Sequence, residues 1–266
     1  MKKILFIGAG NMASAIVGGI LNSNLNTADN IFLYDTNINQ YNKFNKDCIR
    51  VRSLQNGINE ADFIFLSVKP QNIKEILKEI QKFDYQNKVF VSICAGITIL
   101  SIENYLNNAK IIRTMPNTPL LLGLGVTAIC KNQFVTDEEF ELVKKIFSSS
   151  GYVSEIKEED INGITAITSS SPAYFYLFAK GLMEGAKQLN FNYEDTLEMI
   201  CKTMIGAANM MLTSNKSLDE LISMVKSPNG TTEKALNVLE DSNVVGTISD
   251  AMVACSKRAE ELSKLN

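Results

Sequence analysis

Three stretches of this chain could do chemistry, and each works through a backbone turn rather than a reactive side chain. The first is Gly8-Ala9-Gly10-Asn11-Met12-Ala13. Its G-x-G-x-x-A spacing leaves backbone N–H groups free at the start of a helix, with no Cβ to block a pyrophosphate. Ala13, in the third position, lets that helix pack closely on the strand before it. The second is Asp35, about 20 residues further on, where a dinucleotide-binding unit places an acid on the adenosine ribose 2′-hydroxyl. A carboxylate there repels a 2′-phosphate, so of NADH and NADPH it favours NADH. The third is Pro228-Asn229-Gly230-Thr231-Thr232. This is a tight turn opening a helix, and it reads either as an N-cap or as a site offering N–H groups and a hydroxyl to a substrate carboxylate.

The chain contains no histidine. That excludes a Ser-His-Asp or Cys-His nucleophile, a histidine-bearing metal site and a histidine acid or base. Chemistry must come from a cofactor, from backbone groups, or from Lys, Thr, Ser, Tyr and carboxylates, and no metal site is expected. The 5 cysteines are odd in number and widely spaced with no C-x-x-C, which reads as reduced thiols filling apolar space. A net charge of −3 gives no basic stripe for nucleic acid or an anionic membrane. No apolar run reaches the roughly 20 residues of a membrane span. Met1-Lys2-Lys3 leads straight into a strand rather than a signal peptide, so a cytoplasmic protein is expected.

The elements that must position these groups follow from periodicity. Ile4-Leu5-Phe6-Ile7 is a continuous apolar run of the kind buried on both sheet faces. Further strands are expected at 30–35, 63–68, 88–94, 109–113, 126–130 and 152–156, with a short one at 51–53. Between them lie helices at 71–82, from Ser101, and at 137–149, the last opened by a Thr136-x-x-Glu139 capping box. This alternation predicts an α/β domain over 1–157, a Rossmann-type doubly wound parallel sheet. Gly8-Ala9-Gly10, Val68-Lys69-Pro70, Cys94-Ala95-Gly96 and Met115-Pro116-Asn117 all fall at strand ends. The crevice outside the carboxyl edge of such a sheet is where a ligand binds. From residue 158 to 266 the strand pattern stops. Helices are expected at 172–189, 193–212, 217–225, 231–240 and 244–262, several apolar nearly all round. A piece of that size cannot bury such helices alone, which predicts a homodimer through an all-α domain.

These motifs carry a resemblance. G-A-G-N-M-A at 8–13, V-K-P at 68–70, R-T-M-P-N-T-P at 113–119, S-P-A-Y at 171–174 and S-P-N-G-T-T-E-K-A-L at 227–236 are similar to pyrroline-5-carboxylate reductase, over residues 2 to about 262. The resemblance implies a Rossmann domain, then a helical dimerisation domain, with dimers assembled further into a ring. It implies reduction of a cyclic imine to L-proline by a nicotinamide cofactor, the last step of proline synthesis. Gly8, Ala9, Gly10, Asn11, Met12, Asp35, Asn56, Val68, Lys69, Pro70, Ala95, Gly96, Met115, Pro116 and Asn117 would line the cofactor groove. Asn229, Gly230, Thr231, Thr232 and Ser171 would hold the substrate, with the Thr232 hydroxyl on the ring nitrogen as the catalytic group. Three residues depart from the family pattern: Asp35, Ser170 in place of a glycine, and Asn229 in place of another. The departures keep open a reductase for another cyclic imino acid or a 2-oxo acid. A non-catalytic dinucleotide-binding paralogue is the other alternative.

Overall fold

The computed structural model describes residues 1–265. The chain forms two compact units, one of Met1–Ser170 together with the chain from Ala254 on, the other Ser171–Val253. By packing, the units divide at 170/171. A short helix and a π-turn beyond residue 158 still belong to the first unit, as does the end of the last helix.

The first unit is built as β1 (Ile4–Ile7), α1 (Asn11–Asn22), β2 (Ile31–Tyr34), β3 (Ile49–Arg50), α2 (Leu54–Glu60), β4 (Phe63–Leu66), α3 (Ile73–Ile80), β5 (Val89–Ser92), α4 (Ile99–Glu103), β6 (Lys110–Pro116), β7 (Gly125–Lys131), α5 (Asp137–Ser148), β8 (Gly151–Glu155) and α6 (Ile161–Ile164). The π-turn Thr165–Ser169 follows. One 8-stranded sheet has the order β3-β2-β1-β4-β5-β6-β7-β8. β1 lies central, parallel to β2 and β4, with Ile4 opposite Ile31 and Phe63. Its alternate side chains enter two cores. Phe6 joins Ile16, Ile20, Val143 and Phe147 on the α1/α5 face. Leu5 and Ile7 join Ile58, Leu77 and Ile102 on the α2/α3/α4 face. Leu5, Phe6 and Ile7 are each 0% exposed, and burial of each is worth about 1.5–3 kcal/mol. Phe6 stacks on Phe65 with ring centroids 4.5 Å apart.

Three sequence expectations change. The sheet is not wholly parallel, because β7 runs antiparallel to β6. Only a short turn joins them, ending at Gly123 with φ +72°, whereas a parallel return needs a crossover of a dozen or more residues. The short third strand lies at Ile49–Arg50 rather than 51–53. Val51 makes a last bond to Leu33, and Ser53 then turns out to cap α2 by accepting the Asn56 N–H. α2 itself was not anticipated. It is short and mostly polar, and it is held by Leu54 and Ile58 and by Gly57, where a Cβ would stand 2.9 Å from Leu5 Cδ1. The Thr136/Glu139 capping box forms as expected.

The second unit holds α7 (Ser171–Gln188), α8 (Tyr193–Thr213), α9 (Leu218–Val225), α10 (Thr231–Asp241) and the start of α11 (Val244–Leu265). The Ser217/Glu220 capping box opens α9. Large apolar side chains on these helices stay in the open: Tyr176 is 66% exposed, Leu177 69% and Leu212 82%. Among the described residues no helix is long and apolar enough to cross a membrane.

Candidate active site

At the carboxyl edge of the sheet the first turn is held by its neighbours. Gly8 has φ +97°, and a Cβ there would stand 2.6 Å from the Ser67 carbonyl oxygen. Ser67 Oγ donates to the carbonyls of Ile7 and Gly8 at 3.0 and 2.7 Å, locking the turn against the end of β4. Gly10 is the N-cap of α1, with no side chain to cap the helix and no acid in its first turn. Nothing lies within 4 Å of where its Cβ would be. The backbone N–H groups opening α1 therefore face open space at the positive end of a helix, a cradle that fits the pyrophosphate of a dinucleotide. Asn11 and Met12 stand in that first turn, and Ala13 is buried against the core.

Asp35 lies just past β2, beside this turn. One carboxylate oxygen accepts the Ala9 N–H at 2.7 Å and the other accepts the Asn37 N–H at 2.8 Å. Tyr41, unmarked by any sequence motif, fixes the same residue. Its hydroxyl accepts the Asp35 N–H at 2.8 Å and donates to the Asp35 carbonyl at 2.9 Å. Asn56, in the first turn of α2, is exposed, and its N–H is taken by Ser53.

The remaining strand ends come to the same edge, since β2, β1, β4, β5 and β6 are parallel neighbours. Val68 and Lys69 follow β4, and Lys69 precedes Pro70, which opens a 3-10 turn. Lys69 is exposed. Gly96, at φ +73°, and exposed Ala95 follow β5. The Cys94 thiol donates to the carbonyls of Leu66 and Val68 at 3.3 Å each, and burial pushes its pKa up to about 12. It ties strand ends and is no nucleophile. Met115 and Pro116 end β6. Asn117 is 7% exposed and both ends of its amide are engaged. Its Oδ1 accepts the Val126 N–H at 2.8 Å and its Nδ2 donates to the Thr168 carbonyl at 2.9 Å. Its side chain thus ties the end of β6 to β7 and to the π-turn.

In the second unit the Asn229-Gly230-Thr231-Thr232 turn opens α10. Asn229 adopts φ +58°, so the left-handed backbone that a glycine would supply survives with asparagine. Its N–H donates to Glu233 at 2.8 Å, and Glu233 lies 3.9 Å from Lys226 Nζ. Gly230 is the N-cap, where a Cβ would meet Ser227 Oγ at 2.2 Å and the Ser227 carbonyl oxygen at 2.9 Å. Thr231 is exposed and Thr232 half-buried, the latter at the border of an apolar groove of about 670 Å³ that Phe178, Met211 and Leu236 also line. Ser171 is the first residue of α7. Ser170 sits at φ −93°, an ordinary helical backbone that does not call for glycine, and its Oγ accepts from the Cys255 thiol at 3.2 Å.

Residues 158–262 match the family described as pyrroline-5-carboxylate reductase dimerisation. Residues 3–96 match the family of NADP oxidoreductases, coenzyme F420-dependent. The pyrroline-5-carboxylate reductase of Corynebacterium melassecola is 35% identical over 270 residues, covering 99% of this chain and 100% of that one. The chain belongs to the pyrroline-5-carboxylate reductase family. Its relative from Escherichia coli K12 is 33% identical over 99% of both chains. A crystal structure of the Plasmodium falciparum pyrroline carboxylate reductase with NADP bound superposes at a TM-score of 0.91, with 30% identity over 98% of each chain. Membership of this family accounts for the exposed apolar helices: they belong to a dimerisation domain.

Proposed function

We infer that the chain reduces 1-pyrroline-5-carboxylate to L-proline in proline biosynthesis, as a homodimer, with a nicotinamide dinucleotide as reductant and NADH preferred. The observation that supports this best is the uncapped, acid-free start of α1, beside Asp35 and at the edge shared by every later cofactor candidate. When bound, the dinucleotide supplies hydride to the imine carbon. The protein's own groups do the rest. N–H groups of Gly10, Asn11 and Met12 hold the pyrophosphate. Asp35, its carboxylate oriented by the Ala9 and Asn37 N–H groups, faces the ribose hydroxyls and opposes a 2′-phosphate. Val68, Lys69, Pro70, Ala95, Gly96, Met115 and Pro116 floor the groove, with Asn56 toward the adenosine.

On α10 the N–H groups of Thr231 and Thr232 take the substrate carboxylate at the helix start. Ser171 completes the pocket. The Thr232 hydroxyl hydrogen-bonds the ring nitrogen and holds its proton while the neighbouring carbon becomes tetrahedral. An iminium carbon is already electrophilic, so the absence of histidine costs the reaction nothing. The family resemblance adds a ring of dimers, whose mass light scattering reads directly, and a cytoplasmic setting.

The test is oxidation of NADH and of NADPH by the purified chain with pyrroline-5-carboxylate, followed by loss of nicotinamide absorbance. Faster turnover with NADH is the expected result. Faster turnover with NADPH keeps the reaction and removes the role given to Asp35. No turnover with either, from a folded dimer that binds dinucleotide, overturns the reaction.

A further inference from the structure

The segment after Asp35 holds a cation for which the site described so far has no use. Residues Ile38–Lys43 wind as a 3-10 turn, capped by the Asn37 side chain and pinned by buried Tyr41. The turn ends on Lys43, which is exposed. Ser14 Oγ donates to the Lys43 carbonyl at 3.3 Å, so this backbone lies against α1. The ammonium donates to Asn11 Oδ1 at 2.6 Å and to Gln40 Oε1 at 2.7 Å. Asn11 is the first residue of α1, which stations the charge at the N-terminal end of that helix.

Two features make this placement unusual. A helix N-terminus is already positive, so a lysine there is unfavourable by the helix dipole, and the first turn of α1 holds no acid to offset it. Both partners of Lys43 are neutral amides, and among the described residues no carboxylate pairs with it. Among the described residues Asp35 forms no ion pair with it either; its carboxylate oxygens accept the Ala9 and Asn37 N–H groups. A local rule broken without internal compensation marks a place where something else completes the structure. Here the missing partner is an anion, with two of the ammonium's three hydrogens used to aim the third.

We propose that Lys43 is a phosphate ligand for the adenosine half of the dinucleotide, adding a mobile point charge to the fixed N–H groups of α1. The proposal rests on the cofactor reading above and adds to it a residue that no motif marks. Phosphate chemistry is shared by the pyrophosphate of both cofactors and by the 2′-phosphate of NADPH, and binding separates the two.

The experiment is calorimetric titration of the wild type, K43M, K43R and K46M with NADH, NADPH, 5′-ADP and adenosine 2′,5′-bisphosphate, with no substrate and no turnover. Lys46 is a second exposed lysine three residues on, and controls for the general field. K43M should bind about tenfold more weakly, the scale of one charge-assisted hydrogen bond at a surface, with K43R recovering most of the loss and K46M unchanged. A loss shared by NADH and 5′-ADP assigns the pyrophosphate; a loss confined to NADPH and the bisphosphate assigns the 2′-phosphate. Either supports the proposal. Unchanged affinity of K43M for all four ligands, or an equal loss in K46M, overturns it while leaving the cofactor reading intact. Failure of the wild type to bind any dinucleotide overturns both.

Discussion

The two units meet the problem of burial in opposite ways. In the first, β1, β4 and β5 vanish into two cores supplied by the same chain, and the cofactor edge rests on a frame that completes itself. In the second, α7 and α8 leave Phe175, Tyr176, Leu177 and Met211 more than half exposed, within a stretch that matches a dimerisation family. The first unit thus completes its own cores, whereas the helices of the second leave apolar faces of the kind a dimerisation domain covers by association.

The sharpest way to break that comparison is Leu177→Glu, which puts a charge into the open apolar face of α7, 69% exposed in the single chain. An unpaired charge in an apolar interface costs several kcal/mol. We expect a monomer by light scattering and a loss of turnover of at least about 100-fold, with NADH binding by the first unit nearly unchanged. A dimeric, active L177E would remove the distinction altogether. Gly8→Ala attacks the self-sufficient half instead. Its Cβ would collide with the Ser67 carbonyl at a backbone angle L-residues rarely adopt, costing roughly 1–3 kcal/mol in the turn. Calorimetry should show dinucleotide affinity falling about 10- to 100-fold, while L-proline still binds the dimer.

A smaller effect separates binding from chemistry within the substrate half. Thr232→Val keeps the volume and the backbone N–H and removes the hydroxyl. kcat should fall about 10- to 100-fold with NADH affinity unchanged, the range expected of one positioned proton-handling group; an unaltered kcat would move that role elsewhere. The smallest effect concerns the frame alone. Burial holds the Cys94 pKa up at about 12, against about 8.5 in an unfolded chain. A raised folded pKa contributes stability that is whole below the unfolded value and fades as pH rises through the folded one. Melting temperature should fall with pH above about 8.5, and less steeply in Cys94→Ala, whose first unit no longer has that thiol to ionise.

Much of this was legible in the residues. Continuous apolar runs at 4–7, 63–66 and 89–92 mark strands with neighbours on both faces, because only double burial tolerates no alternation. The Thr136/Glu139 and Ser217/Glu220 boxes are local hydrogen-bond patterns and so are written locally. The reversal of β7 was not legible, since it depends on what a strand pairs with and not on its own composition. Nor was α2, whose stability comes from Leu5 and Val51 packing on Gly57 rather than from its polar sequence. At the site, the glycines and the Asn-Gly-Thr-Thr turn announce themselves by backbone needs. Tyr41 and Asn117 do not, because their partners lie several residues to 51 residues away along the chain. Ser170, which stands where the family pattern has glycine, has backbone angles in ordinary helical space.

Among the described residues, every non-glycine position with positive φ is an asparagine: Asn24, Asn108, Asn190, Asn215, Asn229 and Asn243. Where a left-handed turn is needed, this chain often accepts a small strain in the folded state in exchange for a less disordered random coil. Glycine at those positions would relax the turn and enlarge the ensemble that folding must collapse, with the two effects opposing each other on a scale of about 0.4–1 kcal/mol per site. At Asn229 the same choice means that the turn opening α10 begins folding with fewer conformations to search than a Gly-Gly turn would have.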